Sequence, residues 1–219
     1  MATTKIVSML DRAEIISQDK TSVRWPKSEW LTWYNDAILF VVNHRPDKAT
    51  KTINFNCDIT NSKQTLPNDA LGLFTVLRNV ASGKPVRQLD RNQLDDQYSD
   101  WHLHTDDNVD HYIFDQRDPK VFYIYPRPTT ANHVLEIMYP YAPAAVIISN
   151  FETDTQTIGV DDSFLNPILD FMLYRAYSKD ADYAANGQRS MNHLTAAETS
   201  LGIKTKADAV TMQKENRNG

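Results

Sequence analysis

The sequence predicts an α+β protein: a four-helix bundle drawn from both chain ends, an inserted antiparallel β-rich domain, and an extended C-terminal tail. Three observations carry this. Near both ends apolar residues recur at i, i+3, i+4 and i+7, the spacing of one helical face. From Asp47 the texture changes to alternation broken by turns. Past Gly202 no apolar face continues. The expected organisation is a helical hairpin over 1–46, a β-rich insertion over 47–160, a helical pair over 161–202 and a tail over 203–219.

Thr4–Asp19 is predicted as a helix, with Ile6, Val7, Leu10, Ala13, Ile15 and Ile16 on one side. Thr21–Pro26 breaks it, because the residue before a proline favours extended backbone. Ser28–Arg45 is a second helix with a wide apolar face of Trp30, Trp33, Tyr34, Ala37, Ile38, Val41 and Val42, ended by Pro46. The short link between the two predicts a helical hairpin.

In the middle, Thr52–Ile59 alternates, with Ile53, Phe55, Cys57 and Ile59 on one face of a half-buried strand. Leu71–Val80 is a strand by its Phe, Thr and Val content. A short helical turn is predicted at Arg91–Asp96. His111–Asp115 and Val121–Tyr125 form a hairpin across Arg117-Asp118-Pro119. His133–Tyr141 alternates again, and Pro140 and Pro143 predict that it ends at a sheet edge.

The helical pattern returns over Asp161–Tyr183, with Leu165, Ile168, Leu169, Met172, Ala176 and Tyr177 in register. Asp161, Asp162 and Ser163 suit the free N–H groups of a first turn, where Pro167 is also tolerated. Phe171, Leu173 and Tyr174 widen the apolar surface, so burial on more than one side is expected. A further helix covers Asp182–Leu201. Ile203–Gly219 is polar with a net charge of +2 (four cations, two carboxylates) in a chain of −5, and is expected to be disordered alone.

The chain has 219 residues, 41% of them hydrophobic, and a pI near 5.6, which argues against gripping phosphate backbones by bulk charge. No apolar run approaches the roughly 20 residues of a membrane span. Met1–Lys20 mixes charged and apolar residues and does not read as a signal peptide. Cys57 is the only cysteine, so an intrachain disulfide is impossible and a cysteine zinc site is not expected. No cofactor is expected.

The chain has no glycine-rich phosphate loop and no nucleophile elbow. Asp106–Asp110 begins like a calcium loop, but His111 stands where that loop needs Gly and Arg117 where it needs Glu, so an acidic surface loop is the better reading. His102, His104 and Asp106, with His111 nearby, have zinc-ligand chemistry, against the plainer reading of surface histidines. The carboxylates Asp95, Asp96, Asp100 and Asp107 would need a cleft and one raised pKa to serve as a glycosidase pair. Charge runs of this kind usually mark a solvated face. Trp25, Trp30, Trp33 and Tyr34 suggest a base-stacking platform, but three of them lie on a helix face, which favours core packing or a subunit contact.

Several runs together resemble the head-to-tail adaptor (connector) proteins of tailed bacteriophages. They are Trp30-x-x-Trp33-Tyr34-Asn35-Asp36-Ala37; Leu77-Arg78-Asn79 with Gly83; Phe114-Asp115, then Asp118-Pro119, Phe122, Tyr125 and Pro126; Tyr139 with Pro143; and Leu173–Asp180 with Tyr183 and Asn186. They span most of the chain in a fixed order. The resemblance implies a virion structural protein of the neck, not an enzyme, assembled in the host cytoplasm. It implies a ring of about twelve copies beneath the portal, a closed cyclic assembly. That ring would contact the portal, identical subunits and the next tail protein (nozzle or tube). Double-stranded DNA would pass without specific binding, and no membrane is implied. On this reading Ile203, Lys204, Lys206, Val210, Met212, Lys214 and Arg217 are candidates for portal docking. Trp30, Trp33, Tyr34, Tyr174, Arg175, Tyr177 and Tyr183 are candidates for subunit contacts. Asp95, Asp96, Asp100, Asp106, Asp107 and Asp110 are candidates for a channel or tail-facing acidic cluster. The alternatives are a tail-tube gatekeeper, and a cell-wall hydrolase using the acidic cluster.

Overall fold

The computed structural model describes residues 2–180, 182 and 184–217, with side chains except at 184 and 203–217. In chain order the elements are α1 (Ile6–Ile16), α2 (Lys27–His44), β1 (Thr50–Asn56), β2 (Lys63–Thr65), β3 (Thr75–Asn79), β4 (Arg87–Gln88), α3 (Arg91–Gln97), β5 (Thr105–Asp106), β6 (His111–Phe114), β7 (Val121–Tyr125), β8 (Arg127–Pro128), β9 (Val134–Pro140), α4 (Leu165–Lys179) and α5 (Ala184–Arg217). They divide into two compact units, 1–48 with 143–219, and 49–142.

In the helical unit α4 is the axis, packed against both α2 and α5. That explains its wide apolar surface: Pro167, Ile168, Leu169, Met172, Leu173, Ala176 and Tyr177 are all buried. Asp161 accepts from Ser163 N–H (2.9 Å) to cap the 3-10 turn that leads into it. On α5, Asn186, Ser190, Ala197 and Leu201 are buried, a stripe at the helical repeat.

The predicted four-helix bundle is not formed. α1 has 11 residues, α4 has 15 and α5 has 34, or about 17, 23 and 51 Å at 1.5 Å per residue, so they cannot run as matched staves. α1 is instead pinned at its start: Ile6 N–H donates to Gln156 O (2.9 Å) and Ile158 N–H to Thr4 O (3.0 Å). It touches α2 and α4 only over a short stretch. Ile6, Met9, Leu10 and Ala13 are buried, but Ile15 and Ile16 are exposed: Ile15 lies on the opposite side of the helix from that stripe, and Ile16, in line with it, is the last residue of the helix, past the buried stretch. The extended tail is also corrected: the backbone of 203–217 continues α5 as helix. A polar sequence without an apolar face does not forbid helix, since Lys, Ala, Gln, Met and Glu are good helix formers.

The β unit holds a three-stranded sheet in the order β1-β9-β3 and a four-stranded sheet in the order β2-β7-β6-β4, with β5 and β8 as a separate pair. β6 and β7 form the antiparallel hairpin that the alternation predicts, pairing His111 with Tyr125 and Phe114 with Phe122. β9, whose proline end is predicted to lie at a sheet edge, is the central strand of its sheet. Its proline is tolerated because Pro140 lies beyond the last paired residue of β3, Thr75, which faces Met138; only the Pro140 carbonyl is used on that side, accepting from Leu71 N–H (2.7 Å). Gly83 takes φ +71° in the turn after β3, a left-handed value that suits glycine. The core centres on Phe122, Ile124, Leu135, Ile137 and Val109, all fully buried.

Candidate functional site

The aromatic residues predicted for subunit contacts divide between interior and surface. Trp30, Trp33, Tyr34 and Tyr177 are 0%, 6%, 0% and 6% exposed, so they cannot reach a neighbouring subunit without opening the core. Trp25 meets Trp30, Trp33 and Tyr177 edge to face at 5.5, 6.1 and 5.8 Å, a geometry that aligns ring edges with ring faces. The Tyr34 hydroxyl accepts from Gly159 N–H (3.3 Å), and burial pushes its pKa up to about 12. Tyr183 lies outside the described residues.

Tyr174 and Arg175 are the members of that set with surface to offer. Arg175 sits on a seam between α2 and α4, and Tyr174 meets Phe171 of that seam edge to face at 5.4 Å. Phe40 stacks on Phe171 at 4.4 Å, Arg175 pairs with Asp36 at 2.9 Å, and Lys179 pairs with Glu29. On α4 the contacts recur every four residues, so they form one line along the seam.

The six predicted acidic residues, Asp95, Asp96, Asp100, Asp106, Asp107 and Asp110, are all exposed, and each one whose partners are seen has its own. Asp95 accepts from the Trp101 indole N–H (2.8 Å), which is the main cause holding its carboxyl below the usual range. A glycosidase acid needs the opposite shift. Asp100 lies 3.1 Å from His104, and Asp107 accepts from the Thr129 hydroxyl (2.9 Å). His102 stacks on Trp101 at 3.6 Å and bonds the Ser62 hydroxyl at 2.7 Å, while His111 stacks on Tyr125. His104 and His111 both lie against Tyr125 and His102 lies on Trp101, and no metal-ligating group is assembled among the described residues.

The portal-docking candidates Ile203, Lys204, Lys206, Val210, Met212, Lys214 and Arg217 fall on the C-terminal half of the α5 backbone.

The residues that carried the resemblance hold the fold together. Asn35 Nδ2 donates to Val146 O (3.1 Å) and Asn35 Oδ1 accepts from Val146 N–H (2.8 Å). Asn79 is fully buried: its Nδ2 donates to Lys84 O (3.1 Å) and Val109 O (2.8 Å), and its Oδ1 accepts from Val109 N–H (2.9 Å) and His133 Nε2 (2.8 Å). The Tyr139 hydroxyl donates to Asp69 (3.2 Å). Asn186 Nδ2 donates to the Asp180 carbonyl and carboxylate (3.2 Å each). These are side chains standing in for backbone partners where irregular segments would otherwise bury unpaired groups. The sequence signal for them was a polar residue inside an apolar helix or strand pattern.

Comparison with protein families finds a match to the SU10 adaptor protein over residues 4–217. Comparison with curated proteins finds no match.

Proposed function

The chain belongs to the SU10 adaptor protein family, and on that premise we propose that it forms a ring beneath the portal of a tailed bacteriophage, extends the DNA channel and docks the next tail component. The coarse reading follows from the family: a structural adaptor of the phage neck that meets portal and tail proteins, not an enzyme. No described helix is long and apolar enough to cross a membrane. The observation that carries the proposal is the match over nearly the whole chain.

In this reading about twelve copies close a cyclic ring. Residues 203–217 dock on the portal as the last four turns of α5 rather than as an extended arm. Subunit contacts use the surface of α2 and α4, with Tyr174 and Arg175 on it, and the β unit meets the next tail protein. The acidic balance lets DNA slide through without the lysine and arginine contacts to phosphate, driven by counterion release, that would hold it.

Truncation after Gly202 tests the docking claim. Leu201, the last buried residue described, is kept, so the fold should persist. Portal binding is expected to be lost. A truncated chain that still docks contradicts the assignment.

A further inference from the structure

The two edges of the β1-β9-β3 sheet are treated differently. Beyond β3 the chain folds back to cover it: Asn79 N–H donates to Lys84 O (2.8 Å), Val86 N–H to Leu77 O (3.1 Å), and Arg78 bridges Pro85. β1, the other edge, has seven residues, no proline, no register shift, and one charge, Lys51, which is paired with Asp69 at 2.7 Å. Proteins usually guard such an edge with proline, bulges, charge or a covering segment.

The register shows which groups are left over. Tyr141 N–H donates to Ala49 O (2.8 Å) and Cys57 N–H to His133 O (2.9 Å), so the odd-numbered residues between them bond β9. The N–H and C=O groups of Thr50, Thr52, Asn54 and Asn56 therefore point away from the sheet. Among the described residues they meet no partner. Where water does not fill it, an extended backbone is the partner that matches such a row.

The same chain carries an unpaired segment of matching character. Pro143–Asn150 is uncharged, rich in β-branched residues and outside every sheet and helix. Asn35 occupies both backbone groups of Val146, as a neighbouring strand would. The groups of the adjacent residues, Ala145 and Ile147, then point the other way. There, among the described residues, Ile147 O meets only the exposed Gln156 side chain (3.2 Å). Ile147 is itself 81% exposed, unusual for a large aliphatic residue.

We propose that Ala145–Ser149 of one copy adds to the free edge of β1 in the next copy, as a fourth strand of the β1-β9-β3 sheet. The donor and the acceptor are different surfaces, so the contact is head-to-tail and repeats around a ring rather than closing as a twofold dimer. Neither strand brings a charge to the new ladder that lacks a partner. The inference deepens the ring reading and rests on it.

Proline substitution provides the test. Asn54→Pro removes an N–H that faces outward and leaves the β9 ladder whole, whereas Ile53→Pro removes one that β9 uses. The full-length variants, with Ile147→Lys and an Asn54→Cys/Ile147→Cys pair, are assembled on the portal ring. Asn54→Pro and Ile147→Lys should keep the wild-type unfolding midpoint and need at least about tenfold more protein to fill the ring, a factor of ten being 1.4 kcal/mol. The cysteine pair should oxidise to a ladder of covalent oligomers. A ring that forms normally from both single variants, with no ladder, overturns the strand addition and leaves the ring reading intact. Cross-linked dimers from Asn54→Cys alone would mean that β1 pairs with itself, and also overturn it. No ring under any condition removes the ring reading and this inference together.

Discussion

The Asn35 side chain binds the backbone of Val146 through both its donor (3.1 Å) and its acceptor (2.8 Å), so one amide on α2 acts as a strand edge for an irregular segment 111 residues away. Asn35→Ala removes both bonds and leaves a half-buried peptide group unpaired, a loss of about 1–3 kcal/mol. Asn35→Asp keeps the acceptor and loses the donor, so its destabilisation should be the smaller if its new charge stays hydrated. Urea unfolding of the three proteins checks the order.

Asn79 is the corresponding clamp of the β unit and should be the more sensitive. Its four bonds are buried with it, so Asn79→Ala strands the Val109 and His133 groups together, while Lys84 O keeps the backbone N–H of position 79. A loss of about 2–4 kcal/mol is expected, since deleted partners in one network leave several polar groups unsatisfied. A variant within about 0.5 kcal/mol of wild type, the range of an inconsequential surface change, would contradict this.

The Trp25–Trp30–Trp33–Tyr177 cluster should behave as core. Trp30→Ala is expected to cost about 3–5 kcal/mol, the range for deleting a buried aromatic. An unchanged melting temperature combined with failed ring assembly would show that the indole serves a subunit contact instead.

How much of this was legible beforehand depends on how local each feature is. The β6–β7 hairpin and helices α2 and α4 follow from periodicity and breakers within a dozen residues, and the turn at α3 from the same kind of signal. The bundle was not legible, because lengths decide whether helices run together, and a polar run such as 203–217 gives no length. The proline end of β9 reads as a sheet edge because a proline removes a donor; that the strand is central, and which side the missing donor would face, depends on the partner strands. Burial of Trp30, Trp33 and Tyr34 was the open alternative on a helix that is apolar nearly all round. The clamps of Asn35 and Asn79 were visible as motif residues, but their partners lie 111 and 30 residues away, beyond any local rule.

Low pH should weaken the end of α2 through Asp47. The Arg45 guanidinium beside it, with Nε at 2.9 Å and a second nitrogen at 2.8 Å, holds the Asp47 carboxyl at about 2. A depressed carboxyl contributes stability above its unfolded pKa of about 3.9, and that contribution disappears as pH falls toward the folded value. Asp47→Asn should therefore flatten the stability slope between about pH 4 and pH 2. At neutral pH it should cost only about 1–2 kcal/mol, since Asp47 is 38% exposed and water screens the pair.

Cys57 should be inert in the folded protein. It is 9% exposed and burial pushes its thiol up to about 12, so little thiolate forms at pH 8. Reaction with a thiol reagent should follow global unfolding, rising with urea in parallel with the fluorescence transition. Rapid labelling in buffer alone would contradict the packing described.

The adaptor assignment is tested most directly by electron microscopy of the full-length chain mixed with its portal ring. The account predicts a second ring added coaxially to the portal, lost when the chain ends at Gly202. A portal unchanged by excess full-length protein would contradict it.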